Sequence, residues 1–390
     1  MDGGRRTLWA VDSAGFSFNV AFLLFALLVP LDALRHHWSV ATIGALAALV
    51  GVTQLPGRIL SGPLVDAKGE VAVLRITFGA GLLASLLVLT IPSLLGSLIG
   101  GQLAIGLARG LFWTAGQALV GRQPGDSARH LGIFTSATKA GAMIGLASAG
   151  LVAARAGIGV GFGVSGALNA VALLLTWRIP QSGRSHRSAQ LAKALAGLMP
   201  AARRPFVVAN GLLSFLCAMP QALAQSIDPV YLVRLGMRPS MAALLTAVMS
   251  VGMIGAGFLG APVIRRWGIR RTATVAGGLF TGSLGMLALT SSLWAVASAV
   301  LLGGVGAGWL NVVFLTDVTR KSPDGERGTN LGVTQIYFVV ATMTAPYLAG
   351  QIARGWGFSW AWGGEGVVAL IVLAAYRQIA SSNRRVTSAA

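Results

Sequence analysis

Twelve stretches of about 20 residues, each nearly free of charge, run through this sequence and exclude a water-solvated fold. They lie near 9–32, 40–63, 74–92, 96–120, 130–153 and 158–178, and again near 206–229, 239–262, 273–291, 294–316, 328–351 and 358–377. A helix rising about 1.5 Å per residue crosses a hydrocarbon core ~30 Å thick in ~20 residues, so each stretch is long enough to span. Hydrophobic residues make up 55% of the chain and charged residues 11%, against about 45–50% and about 25% in soluble domains. The expected fold class is an all-α membrane protein with twelve transmembrane helices. The first stretch follows Arg5 and Arg6 and is longer than the roughly 7–15 residue core of a signal peptide. It reads as an uncleaved helix.

The formal net charge of +19 would suggest nucleic acid in a soluble protein. Placement decides otherwise. With the N-terminus inside, 23 of the 30 Lys and Arg fall on the cytoplasmic side and 5 on the other, with Arg109 and Lys139 inside spans. That is the bias of a multi-pass protein with cytoplasmic N- and C-termini, expected in a bacterial cytoplasmic (inner) membrane. The partners expected are the lipid bilayer, a small-molecule solute and protons, with no nucleic acid and a monomeric state. Trp9, Trp38, Trp177, Trp267, Trp294, Trp356, Trp360 and Trp362 fall near the membrane interfaces, where indole is favoured. Cys217 is the one cysteine, and His36, His37, His130 and His186 lack the spacing of a helical metal site. No metal and no cofactor are expected.

The chain also repeats itself. Pro63 and Pro262, Gly69 and Gly268, and Pro124 and Pro323 each stand 199 residues apart, and Leu131-Gly132 returns as Leu331-Gly332 at 200. These positions occupy corresponding loops of two six-span sets. Two like-oriented halves related by a pseudo-twofold axis along the membrane normal account for this. The expected division is 1–178, a basic linker at 179–205 carrying Arg184, Arg187, Lys193, Arg203 and Arg204, and 206–390.

After the second span the sequence carries Gly62, Leu64, Asp66, Gly69 and Leu74, with Ala67, Glu70 and Val71 where basic residues would complete a motif. This resembles the loop signature of the major facilitator superfamily, and the likeness covers the whole chain. Arg109 within Gly106-Leu-Ala-Arg109-Gly110 is similar to that family's span-4 arginine motif, with Phe112-Trp113 departing from it. Gly141, Gly145 and Gly150 on span 5 are similar to its antiporter motif without the Gly-Pro step. The resemblance implies that spans 1, 4, 7 and 10 line a central cavity. It also implies that Gly62, Asp66 and Gly69, with Arg265 and Gly268 of the second repeat, form a cytoplasmic gate in which Asp66 faces the start of span 11.

Polar residues within spans usually face protein or a wet cavity. At 100° per residue, Asn210, Ser214, Gln221, Gln225 and Asp228 share one face of span 7. Gln102, Arg109 and Gln117 share an arc of span 4 with Trp113 between the last two. Asp12, Phe16 and Asn19 lie on one side of span 1, and Gly304, Gly308 and Asn311 on one side of span 10. Such residues serve either as interhelical glue, worth about 0.6 kcal/mol each, or as a solute site. Arg109 and Lys139 are sharper, since a mid-membrane charge costs ~2.5–3.5 kcal/mol even on the lenient insertion scale. Each either forms an ion pair, with Asp12, Asp32 or Glu365, or meets an anion. Asp12, Asp32, Asp228 and Glu365 are the candidate proton carriers. Gly161-Phe-Gly163-Val-Ser-Gly166 fits a dinucleotide fingerprint only formally, because no strand precedes it.

The function expected is secondary active transport of a small solute by alternating access, proton-coupled, in either direction. The solute is an organic anion or another metabolite or drug-like molecule. A non-transporting membrane sensor and a membrane-embedded enzyme are the alternatives, and the chain is not expected to be an enzyme. No phosphate-cradling loop points to ATP.

Overall fold

The computed structural model describes residues 2–90, 94–124, 127–180, 198–322 and 327–388. Most of the basic linker and the loop 323–326 lie outside the described residues, as do the side chains of Asp66, Pro63, Leu131 and Gly132. The helices are α1 (Asp2–Arg35), α2 (Val40–Lys68), α3 (Glu70–Thr90), α4 (Leu94–Gly121), α5 (Ser127–Arg155), α6 (Ile158–Trp177) and α7 (Pro205–Ala224). They continue with α8 (Ile227–Arg234), α9 (Pro239–Leu289), α10 (Leu293–Lys321), α11 (Arg327–Trp356) and α12 (Phe358–Ser388). The element α9 is two helical arms joined at Gly268. Among the described residues, twelve helical segments are long and apolar enough to span a membrane, one for each predicted stretch. The ninth segment begins well before residue 273 and α3 begins at Glu70, since both helices run back through their arginines to the preceding glycine.

The repeat is written into the backbone. Six residues among those described have positive φ: His37 (58°), Gly69 (83°), Gly157 (92°), Gly236 (89°), Gly268 (75°) and Gly357 (91°). They pair as 37 with 236 and 69 with 268 at 199 residues, and 157 with 357 at 200. A left-handed residue closing a helix is ordinary for glycine and costs other L-residues about 1–2 kcal/mol. His37 is the one position where the repeat breaks that chemistry. Gly236→Ala is therefore expected to cost about 1–2 kcal/mol in thermal unfolding of the detergent-solubilised protein. His37→Gly should be neutral or stabilising by up to about 1 kcal/mol, and a loss at His37→Gly would contradict the assignment.

Two compact units result. The first comprises Met1–His37, Leu49–Leu191 and Met237–Leu244, and the second Trp38–Ala48, Ala192–Gly236 and Leu245–Ala390. In the first, α1 packs against α3, α4, α5 and α6, and α3 against α4 and α6. In the second, α7 packs against α10, α11 and α12. The first helix of each half is the most enclosed: the α1 window is 94% buried and that of α7 72%, against 33–56% for the others. Phe18, Phe78, Phe112 and Phe134, all fully buried, fill the centre of the first unit, with Phe18 and Phe112 ring centroids 4.7 Å apart.

The seventh span departs from the predicted single stripe. Helix α7 ends at Ala224, Ser226 takes φ −137° and ψ −69°, and α8 restarts at Ile227. Pro229 is the cause, because its ring excludes the carbonyl four residues earlier, at Gln225, from a continuing helix. Asn210, Ser214 and Gln221 share α7 and Gln225 caps its end with helical backbone angles, whereas Asp228 lies beyond the break at Ser226.

Candidate functional site

The first unit builds its site on two close helix contacts. A Cβ on Gly106 of α4 would stand 2.2 Å from the Val50 carbonyl oxygen of α2, and one on Gly110 2.6 Å from the Gln54 carbonyl oxygen. Thr53 Oγ1 donates to the Leu103 carbonyl at 2.6 Å, and Ser61 Oγ to Thr114 Oγ1 at 2.6 Å. Small residues four apart admit this approach, and they fix the rotation of α4. The α10 glycines repeat it, with Gly304 against the Met249 carbonyl and Gly308 against that of Met253 on α9.

That rotation aims Arg109 at α1. Its Nη1 donates to Asn19 Oδ1 at 2.7 Å, while Asn19 Nδ2 donates to the Gly15 carbonyl at 2.8 Å. The guanidinium carbon lies 4.6 Å from the Phe22 ring centroid and 5.4 Å from that of Trp113, a cation–π arrangement on both. Trp113 is in turn held edge-on by Phe134 at 6.2 Å. Among the described residues, no carboxylate lies within salt-bridge distance of Arg109, so the expected ion pair with Asp12, Asp32 or Glu365 is not formed. A half-buried guanidinium with five donors is thus oriented by a neutral amide and two aromatic faces. Such a fork can receive a carboxylate or phosphate bidentately. Gln102 is buried two turns away on α4, its Oε1 without a hydrogen-bond partner among the described residues. Lys139 is half-buried on α5.

In the second unit the fully buried Asn210 uses its amide on the Phe206 carbonyl (2.8 Å) and on Asp317 Oδ2 (2.7 Å). Lys321 Nζ also reaches Asp317 Oδ2 at 2.8 Å. Gln221 donates to the Cys217 carbonyl at 3.0 Å, and Gln225 and Asn311 are half-buried. Asp228 borders a small apolar cavity with Ser283, Phe280 and Leu284. Of the other candidate acids, Asp32 lies 3.8 Å from His36. Asp12 is half-buried with Oδ1 unpartnered and His130 as its electrostatic neighbour, and Glu365 is 1% exposed.

Of the residues expected at a gate, Gly69 and Gly268 hold equivalent positive-φ turns, Gly62 is open around its Cα and Arg265 is exposed. Asp317 and Arg122 were not among the residues singled out from sequence, and Glu70 was noted there only as a departure from the loop motif. Glu70 occupies the motif position where a base is usual, is buried, and forms an ion pair with Arg122 at the end of α4. Arg122 is the repeat partner, at 199 residues, of Lys321, which holds Asp317. The signal was available in that register. Glu70→Arg or Arg122→Glu alone is expected to cost about 1–3 kcal/mol by leaving a buried or like-charged group. The double swap should recover most of it in thermal unfolding, and no recovery would mean the pair does not interact.

The family model described as Major Facilitator Superfamily matches residues 12–340 and, again, 215–389. An uncharacterized MFS-type transporter, Rv1250 of Mycobacterium tuberculosis (strain ATCC 25618 / H37Rv), is 34% identical over 131 residues, covering 33% of this chain and 22% of that relative. The match thus spans about a fifth of the relative's length. The nucleoside transporter NupG superposes with a TM-score of 0.75 at 12% identity, over 97% of this chain and 99% of that one. The human organic anion transporter MFSD10 (TETRAN) does so with a TM-score of 0.69 at 16% identity, over 96% and 100%. At these identities the two structures speak to the fold.

Proposed function

The chain belongs to the major facilitator superfamily, and from that premise we propose that it is a proton-coupled secondary transporter of a small organic anion, with Arg109 as the anion-binding group. It is an integral multi-pass membrane protein with twelve apolar helical segments among the described residues, and the family supports membrane transport. The proposed orientation places both termini in the cytoplasm, on the Lys and Arg distribution. The proposed halves are 1–178 and 206–390 about the linker 179–205.

One observation carries the choice of solute. A guanidinium inside the fourth span is held by Asn19 and two aromatic rings, with no acid to neutralise it among the described residues. A charge in that setting calls for a counter-ion, and a solute carboxylate or phosphate supplies one. Trp113 and Phe22 offer apolar faces to the body of such a solute. Protons are the driving ion proposed, because the spans contain several buried carboxyl groups. The test is thermal stabilisation of the purified protein by a panel of monocarboxylates, phosphate monoesters, neutral sugars and amines, each at matched concentration. Stabilisation confined to anions is the expected result. Stabilisation by amines or neutral solutes alone would overturn the anion assignment.

A further inference from the structure

We propose that Glu365 is a proton-binding carboxyl, held as the neutral acid in this conformation and discharged once per transport cycle. The first part stands on the structure alone; the second rests on the transport reading above.

Glu365 is the eighth residue of α12, about 10 Å along the helix from its start. It is 1% exposed, and neither Oε1 nor Oε2 has a hydrogen-bond partner among the described residues. The Ala349 backbone N–H of α11 faces the carboxyl and is, among the described residues, the one group beside it that favours the charged form, and Ile352 of α11 closes over the neighbouring Gly364. The other ionisable groups on the packed elements are turned elsewhere. Helix α7 carries no charged residue, and its Cys217 donates to the Ala307 carbonyl. Among the described side chains of α11 the charge is Arg354, at its C-terminal end; Tyr337 packs on Gly211 and Tyr347 is exposed. On α9, Arg265 and Arg266 end the first arm and Arg270 and Arg271 lie in the first turn of the second, all close to Gly268. From α8, Tyr231 meets Trp362 edge-on and donates to the Thr290 carbonyl, while Asp228 borders its own cavity. An ionised carboxylate here would be a buried charge with a single backbone N–H and, among the described residues, no cation to meet it, which a membrane interior does not readily sustain.

The repeat supplies an independent reading of the same position. Glu365 stands 200 residues after Ser165. Ser165 Oγ donates to the Ala21 carbonyl at 3.0 Å and accepts from Ser85 Oγ at 3.2 Å. The glycines that follow face matching partners, Gly166 against Ser85 and Gly366 against Leu284, themselves 199 apart. In the second unit the hydroxyl partner is thus a leucine. The first unit fills this point with a neutral hydroxyl, and a carboxyl group matches it in charge only when it carries its proton. A structural role is served by serine in one half. A glutamate in the other adds an ionisable oxygen that packing does not need.

In the cycle, the O–H bond of the acid breaks and the proton passes to water on one side. The carboxylate formed is reprotonated from the other side before the buried state returns. No other bond changes.

The test begins with the wild-type protein in lipid. Its infrared spectrum near neutral pH is expected to contain a C=O stretching band of a protonated carboxyl in an apolar setting, absent from Glu365→Gln and shifted in Glu365→Asp. The same band in Glu365→Gln, or none in wild type, overturns the first part. The wild-type band and the Asp shift keep the test decisive if the Gln variant does not fold. In proteoliposomes loaded with the anion that best stabilises the protein, Glu365→Gln should lose accumulation driven by a pH gradient, by at least about 10-fold, while keeping counterflow. Retention of both would remove coupling at Glu365 and leave anion transport standing. Loss of anion binding as well would place Glu365 in the solute site and contradict the proposal.

Discussion

Arg109→Gln is expected to weaken binding of the stabilising anion about 10- to 100-fold, the equivalent of one charge-assisted hydrogen-bond set worth about 1.5–3 kcal/mol. The protein should stay folded. Glutamine can still donate to Asn19 Oδ1, and removing a mid-membrane charge relieves an insertion cost of about 2.5–3.5 kcal/mol. Arg109→Lys should recover little, since an ammonium lacks the planar fork and the stacking on Phe22 and Trp113. Isothermal titration of each variant with the same anion checks this. Unchanged affinity in Arg109→Gln would remove Arg109 from the site. Lys139→Gln, measured in parallel, tells whether the second intramembrane cation contributes.

The second large effect concerns the frame that holds Arg109. Gly106→Val and its repeat counterpart Gly304→Val each place branched carbon where a Cβ alone would sit 2.2 Å from a backbone carbonyl oxygen. A carbonyl inside a helix cannot move aside as a side chain can. The helices must separate, and a loss of at least about 3 kcal/mol follows, read as a collapse in the yield of monodisperse protein. Gly163→Ala is the matched control. Nothing lies within 4 Å of its Cβ position, and an alanine inside α6 should gain about 0.5–1 kcal/mol. Equal behaviour of the three would mean that helix contact at Gly106 and Gly304 is not what fixes the frame.

Much of this architecture was legible in the residues. Span length and charge scarcity are dictated by the hydrocarbon core, so twelve apolar stretches translate directly into twelve helices. The offset of 199 was visible in Pro63, Pro262, Gly69 and Gly268, and the two glycines turn out to hold the same backbone conformation. The polar face of span 7 was misjudged for a local reason. Periodicity assumes one unbroken helix, and with Pro229 following, that assumption fails at Ser226, which separates Asp228 from the rest. The partner of Arg109 was also out of reach. Pairing a charge with a charge is the default inference, whereas the structure answers with Asn19 and two rings, a choice that depends on how Gly106 and Gly110 rotate α4. Glu70 looked like the loss of a base from a motif. In three dimensions it is one end of an ion pair whose other end lies 52 positions along the chain, at Arg122.

Whether the protein moves its solute is settled most directly by counterflow in proteoliposomes, using the anion that best stabilises the purified protein. Vesicles preloaded with unlabelled anion should take up the labelled species faster than empty ones, and vesicles holding Arg109→Gln should not. Binding of that anion without any trans-stimulated flux in the wild type would contradict a transporter and leave a membrane receptor in its place.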